Sequence, residues 1–217
     1  MIHIVFQALA QTLVMVFFST LFSVILGLPL GVLLAVTVSH RDGGLMPMPV
    51  LNQVLGKAVN VLRSFPFIIL IIVLFPLSRL IVGTTIGTKA VIVPLSIAAA
   101  PFVARIVENS LREVPAGVVM AARSMGSTNL QIIVKVLLPE SLPSLVNGLT
   151  LTIINIIGYS AMAGALGGGG LGDLAIRYGY QRFRTDIMFI AVVVIIVLVE
   201  IIQLLGNFFS SQLTKKR

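Results

Sequence analysis

The 217-residue chain is 58% apolar and only 10% charged, carries a formal charge of +8 and has no cysteine. A water-facing globule needs about 25% charged residues, so that class is excluded and much of the surface must face lipid. Disulfides, thiolate metal sites and thiol nucleophiles go with cysteine, and the scattered basic excess fits the loops of a membrane protein better than a nucleic-acid surface.

A bilayer core takes roughly 20 apolar residues per helix, and five segments have that length: 12–36, 58–79, 89–110, 143–165 and 187–208. The expected class is an all-α polytopic membrane protein, one transmembrane domain over 1–217. The first segment lies in an uncharged run from Ile4 to Ser39. With no Lys or Arg before it and no small-residue cleavage site after it, it reads as a retained span. Within it Gly27 and Gly31 form a small-xxx-small pair, and Pro29 between them leaves both a tight helix contact and a kink open. The second segment carries Arg63 near one end, where it can snorkel; the third is uncharged only from Ala90 to Ala104. Pro29, Pro66, Pro76, Pro94 and Pro101 predict kinks, which lipid tolerates only inside a bundle.

Segment 111–142 follows the third span. Pro115 suits a first helical turn, residues 116–125 a short helix with the small pair Ala121 and Ala122, and Gly126 its left-handed stop. Thr128 with Gln131 makes a capping box for a second short helix, which Pro139 and Pro143 are expected to close before span four. An amphipathic interfacial helix is the plainer alternative for 116–125.

Span four carries Thr152, Asn155, Tyr159 and Met162 at offsets 0, 3, 7 and 10, one face at 100° per residue. Such a stripe suits a water-accessible pathway or hydrogen bonding between helices. Met162 is placed for a gate. The run Gly167–Gly170 suits a flexible or close-packed turn; no Lys follows it, so a phosphate cradle is disfavoured. Asp173, Arg177, Tyr178, Tyr180, Arg182, Arg184 and Asp186 populate the next loop, a docking surface or a solvated one. Glu200 lies inside span five, a functional carboxylate by default or one that is protonated or bonded to a neighbouring helix.

Ten Lys and Arg fall on the side holding 111–142 and the C-terminus, five on the other. The positive-inside rule then puts the N-terminus outside and the C-terminus in the cytoplasm. No G-x-x-x-x-G-K-[ST] loop occurs, so ATP hydrolysis by that route is excluded. His3 and His40 are too far apart for a metal site, and no Ser-His-Asp set can be placed on one side.

The stretch Met120 to Pro139, MAARSMGSTNLQIIVKVLLP, resembles the loop shared by binding-protein-dependent ABC importer permeases, Glu-Ala-Ala-x3-Gly-x9-Ile-x-Leu-Pro. Ala121, Ala122, Gly126, Leu138 and Pro139 match at the right spacing; Val136 stands for Ile, and Met120 departs from Glu. Arg63-Ser-Phe-Pro-Phe67, Val82-Gly-Thr-Thr-Ile-Gly87, Ala100-Pro-Phe-Val-Ala-Arg105 and Gly158-Tyr-Ser-Ala-Met-Ala-Gly164 are similar to the methionine-uptake branch. The resemblance implies a type I permease fold in a bacterial inner membrane. Met120, Ala121, Ala122, Arg123, Gly126, Leu138 and Pro139 would couple it to an ATPase, and Thr152, Asn155, Tyr159 and Met162 would line the pathway. It implies a homodimer, two ATPase subunits that bind the ATP and Mg, an external substrate-binding lipoprotein, no cofactor in this chain and no nucleic acid. The implied cargo is methionine, with the D form an open case. Another amino acid or small polar solute is the nearest rival, and an ion-coupled secondary transporter the rival of another class, which would call for paired intramembrane charges or inverted repeats.

Overall fold

The longest uncharged run folds as the first helix, α1 (Ile2–Val36), in a computed structural model that describes residues 2–39 and 44–215. His40, and Arg41, Lys216 and Arg217 among the ten basic residues counted above, lie outside the described residues. There follow α2 (Pro49–Ser64), α3 (Phe67–Val82), α4 (Thr88–Arg112), α5 (Ala116–Ser124), α6 (Asn129–Ile132), a π-helical turn (Ile133–Leu137), α7 (Leu138–Ala165), α8 (Gly170–Asp173), a second π-helical turn (Leu174–Tyr180) and α9 (Thr185–Lys215). Every regular element among the described residues is helical.

Four helical stretches are long and apolar enough to cross a bilayer: Ile2–Val36, Thr88–Arg112, Asn129–Ala165 and Thr185–Lys215. The second expected span is not straight. Residues 58–79 fall on α2 and α3, which meet at a bend of 104° and make a fifth crossing only as one broken span. Pro66 is the cause: it sits at φ −60°, ψ 126°, ahead of α3, and a proline drives the residue before it out of the helical region. Pro29, Pro76, Pro94 and Pro101 lie inside helices that continue past them.

The expected stop at Pro139 and Pro143 is also corrected. The helix begun at Asn129 runs on into span four through the π-helical turn, where the Leu138 N–H donates to the Ile133 carbonyl five residues back. A proline at 139 would crowd the Lys135 carbonyl in a regular α-turn, and the wider turn removes that conflict.

The chain clusters into two compact units. One comprises residues up to 24, 65–100 and 151–204. Its core packs Met15, Phe67, Ile71, Val91, Leu95, Ile156 and Ile157, all apolar, as burial requires. The other comprises 25–64, 101–150 and the chain from 205. There Leu34, Val59 and Ala104 form a core, and a Cβ at Gly31 would come within 2.5 Å of the Ala104 carbonyl oxygen. The small-xxx-small reading therefore holds at Gly31 as a tight helix contact. Asn52 Nδ2 donates to the Leu34 carbonyl (2.7 Å) and to Thr37 Oγ1 (3.1 Å), fastening α2 to the end of α1. α9 keeps its apolar side chains outward, among them Phe189, Val193, Ile196, Val197 and Leu204, as lipid-facing helices do.

Candidate functional site

The elbow between α4 and α7 is built by local rules. α5 opens behind Pro115 and closes in a Schellman turn. The Ser127 N–H donates to the Ala122 carbonyl (3.1 Å) and the Gly126 N–H to the Arg123 carbonyl (2.9 Å), with Gly126 at φ 80°. That conformation strains any residue with a Cβ. The capping box then starts α6: Thr128 Oγ1 accepts from the Gln131 N–H (3.3 Å) and Gln131 Oε1 from the Thr128 N–H (2.9 Å).

No residue of α5 is buried. Met120 is 62% exposed and Met125 85%. Ala121, Arg123 and Gly126 are exposed, Ala122 half-buried. Leu138 and Pro139 lie on the far side of the π-helical turn, Leu138 half-buried and Pro139 exposed. Arg123 ties the elbow to another segment, Nη2 donating to the Leu45 carbonyl at 3.3 Å. Beside it a cavity of about 590 Å³ is lined by Val36, Leu45, Arg112, Pro115, Ala116 and Met120, among others. A nine-residue helix with no buried face is marginal alone in water.

On α7 the structure divides the expected stripe. Thr152 is wholly buried. Tyr159 turns sideways and stacks on Phe67, ring centroids 4.5 Å apart and planes 12° from parallel. Asn155 and Met162 are exposed, and they share a face with Leu151, Gly158 and Ala165, the five spaced 4, 3, 4 and 3 as the helical period demands. Among the described residues, nothing beyond its own turn of helix lies within 4 Å of a Cβ built on Gly158. The exposed stripe is thus Leu151, Asn155, Gly158, Met162 and Ala165, offset from the one read in the sequence. Thr152 lies at the edge of that arc, where a few tens of degrees decide between inside and outside.

The glycine-rich turn after α7 is close-packed. Gly167, Gly169 and Gly170 have φ of 81°, 78° and 81°. α8 has no capping side chain of its own; α1 supplies two from afar. Gln11 Oε1 accepts from the Gly170 N–H and Thr12 Oγ1 from the Leu171 N–H, both at 2.9 Å, meeting donors that every helix start leaves open. Sequence reasoning missed Gln11 and Thr12, and no local signal could have found them, since their partners lie 159 positions on. In the following loop Arg177 pairs with Asp173 (2.6 Å) and Arg184 with Asp186 (2.7 Å), and the Arg177 and Arg182 guanidinium groups lie over Tyr178. Glu200 is exposed on α9.

Residues 27–215 match the family model described as the binding-protein-dependent transport system inner membrane component. The chain belongs to that family. Among its relatives is the probable D-methionine transport system permease protein MetI of Vibrio cholerae serotype O1, 54% identical over 197 residues, 91% of this chain and 86% of that protein. The methionine import system permease protein MetP of Bacillus subtilis is 47% identical over 174 residues, 80% and 78% of the two chains. A solved inward-facing structure of the MetNI methionine ABC transporter superposes with a TM-score of 0.94 at 46% identity, over 98% of this chain and 97% of the other. An amino acid ABC transporter crystallised with histidines shares the fold, TM-score 0.77 at 21% identity. The family's all-α, multi-pass class is the one expected from composition and span length, and its inner membrane is the one the resemblance implies.

Proposed function

We propose that this chain is the membrane-spanning permease subunit of an ATP-driven methionine importer. Two copies would enclose a pathway, and each α5 would enter a groove on a separate ATPase in the cytoplasm. The observation that carries the reading is the elbow: a short helix with a small-residue face, rigidly stopped at both ends and buried nowhere in its own chain. Joined through the Gly126 turn to the helix that runs on from Asn129 into α7, it turns a push from outside into movement of a span. The ATP and Mg belong to the partner, this chain holding no phosphate-binding loop of the Walker type. An external lipoprotein would deliver the substrate, and the N-terminus would lie outside, the C-terminus in the cytoplasm.

Methionine rests on relatives named for its transport, including the Vibrio cholerae protein at 54% identity over 91% of this chain. The exposed α7 face, with Asn155 and the thioether of Met162, lines the pathway in this reading. The test is uptake in proteoliposomes holding this chain with its neighbouring ATPase. ATP-dependent accumulation of labelled methionine, competed by L- and D-methionine more than by other amino acids, is the expected result. Gly126→Pro, which cannot hold φ 80°, should abolish co-purification with the ATPase. Uptake driven by an ion gradient with no ATPase present would overturn the reading.

A further inference from the structure

Glu108, near the end of α4, is 3% exposed yet ionisable. A carboxylate is tolerated in such a place only when each oxygen is paired. Here the two oxygens are divided between two arginines of the same helix. Oε2 accepts from Arg105 Nη1 at 2.6 Å, one turn back, and Oε1 pairs with Arg112 Nη2 at 2.7 Å, one turn on. The elbow and the α7 face make no use of this group, although the spacing Arg105, Glu108, Arg112 is that of neighbours on one helical face.

Each arginine leads somewhere different. The other arm of Arg105, Nη2, donates to the Gly56 carbonyl and to Asn60 Oδ1, both at 2.9 Å, so one guanidinium ties α4 to α2. Only a planar fork can serve Glu108 and α2 together; a lysine has a single point of charge. Arg112 borders the cavity beside α5 together with Pro115 and Ala116. Between it and α5 the chain is held by helical-type bonds, Glu113 N–H to the Asn109 carbonyl (3.1 Å) and Val114 N–H to the Leu111 carbonyl (3.4 Å). Glu108 thus stands between the root of the coupling helix and α2.

We infer that Glu108 is a positioning residue which, through Arg105 and Arg112, makes α2 and the root of α5 move as one piece during transport. The inference rests on the permease reading. A displacement of α5 reaches α7 through the Gly126 turn and the helix that runs on from Asn129; it reaches α2 through Arg123 at the Leu45 carbonyl and through α4, where this carboxylate joins Arg105 to Arg112. An amide at 108 keeps the size but offers one acceptor oxygen without charge, so one arginine is released. Losing a hydrogen bond between charged groups shifts such an equilibrium by about tenfold or more.

The test uses the full permease–ATPase complex in proteoliposomes, with nitroxides at Lys57→Cys and Asn109→Cys, both exposed positions in a chain that has no cysteine of its own. Glu108→Gln is expected to assemble and hydrolyse ATP, to import about tenfold fewer methionine molecules per ATP, and to broaden the distance distribution between the labels. Glu108→Asp should restore part of both. Unchanged import per ATP overturns the inference, as does a fall of hydrolysis and import in strict proportion, which marks a purely structural ion pair. Should Glu108→Gln fail to assemble, Arg105→Lys keeps the charge and loses only the fork; failure of both variants would make the cluster a folding element and equally overturn it. A parental complex without ATP-driven uptake sinks the permease reading instead, while the label distances still report on Glu108.

Discussion

The elbow of α5 and α6 and the glycine-rich turn at the end of α7 use the same residue for opposite purposes. At Gly126 the backbone needs φ 80°, and among the described residues a Cβ there would meet no atom within 4 Å beyond its chain neighbours; the glycine buys only a left-handed stop. In the turn, glycine also serves contact. A Cβ on Gly172 would fall inside the backbone of Ala161, one on Gly164 inside that of Gly172 and Asp173, and one on Gly170 within 2.6 Å of Thr12 Oγ1. One region is left bare, the lever of the function proposed above. The other is a joint packed backbone to backbone, as small residues allow between membrane helices.

The joint should therefore break first. Gly172→Ala places a methyl against main chain that cannot rotate away, and overpacking of this kind costs about 3 kcal/mol or more. The expected outcome is a solubilised chain that unfolds many degrees early, or fails to accumulate, in a detergent melt. A melt like the parent's would mean that α7 and α8 can slide apart, and the distinction between lever and joint would fail.

Thr12→Val sharpens the same point with less force. The shape is kept, but the buried Leu171 N–H loses its acceptor, at a cost of about 1–3 kcal/mol. Thr12→Ser should restore most of it. Stability that follows the hydroxyl across the parent and the two variants shows that α1 caps α8; a loss that follows the methyl instead points to packing.

The contrast also explains what could be read beforehand. The elbow was legible because its code is local: Thr128 and Gln131 are three apart, Gly126 follows its helix directly, and the spans sit on runs of apolar residues. The turn was legible only as a cluster of glycines, since Gln11 and Thr12 lie far away in sequence and a threonine in an apolar helix does not announce what it accepts from. Pro139 misled for a related reason. Its local rule says stop, and a π-helical turn just before it lets the helix pass. The exposed face of α7 was placed with Thr152 at its edge because periodicity fixes an arc but not which side of that arc is covered. Glu108 could have been found from its spacing to Arg105 and Arg112, but nothing in the sequence said that Arg105 would reach Gly56.

The smallest effect belongs to the lever. Gly117, inside α5, takes no left-handed conformation, and among the described residues a Cβ there meets nothing within 4 Å beyond its own helix. Alanine in a helix interior is favoured over glycine by about 1 kcal/mol, so Gly117→Ala should melt at the parental temperature or slightly above it. If α5 enters a groove on an ATPase, the added methyl has to find room there, and co-purification with that partner should weaken although the chain itself is sound. A destabilisation as large as that of Thr12→Val would show Gly117 packed within its own chain. Unaltered ATPase binding would confine the groove to the faces that carry Met120, Ala121 and Ala122. Stability and assembly must part company at this residue, because in a bare lever the chain's own fold and the partner's grip depend on different atoms.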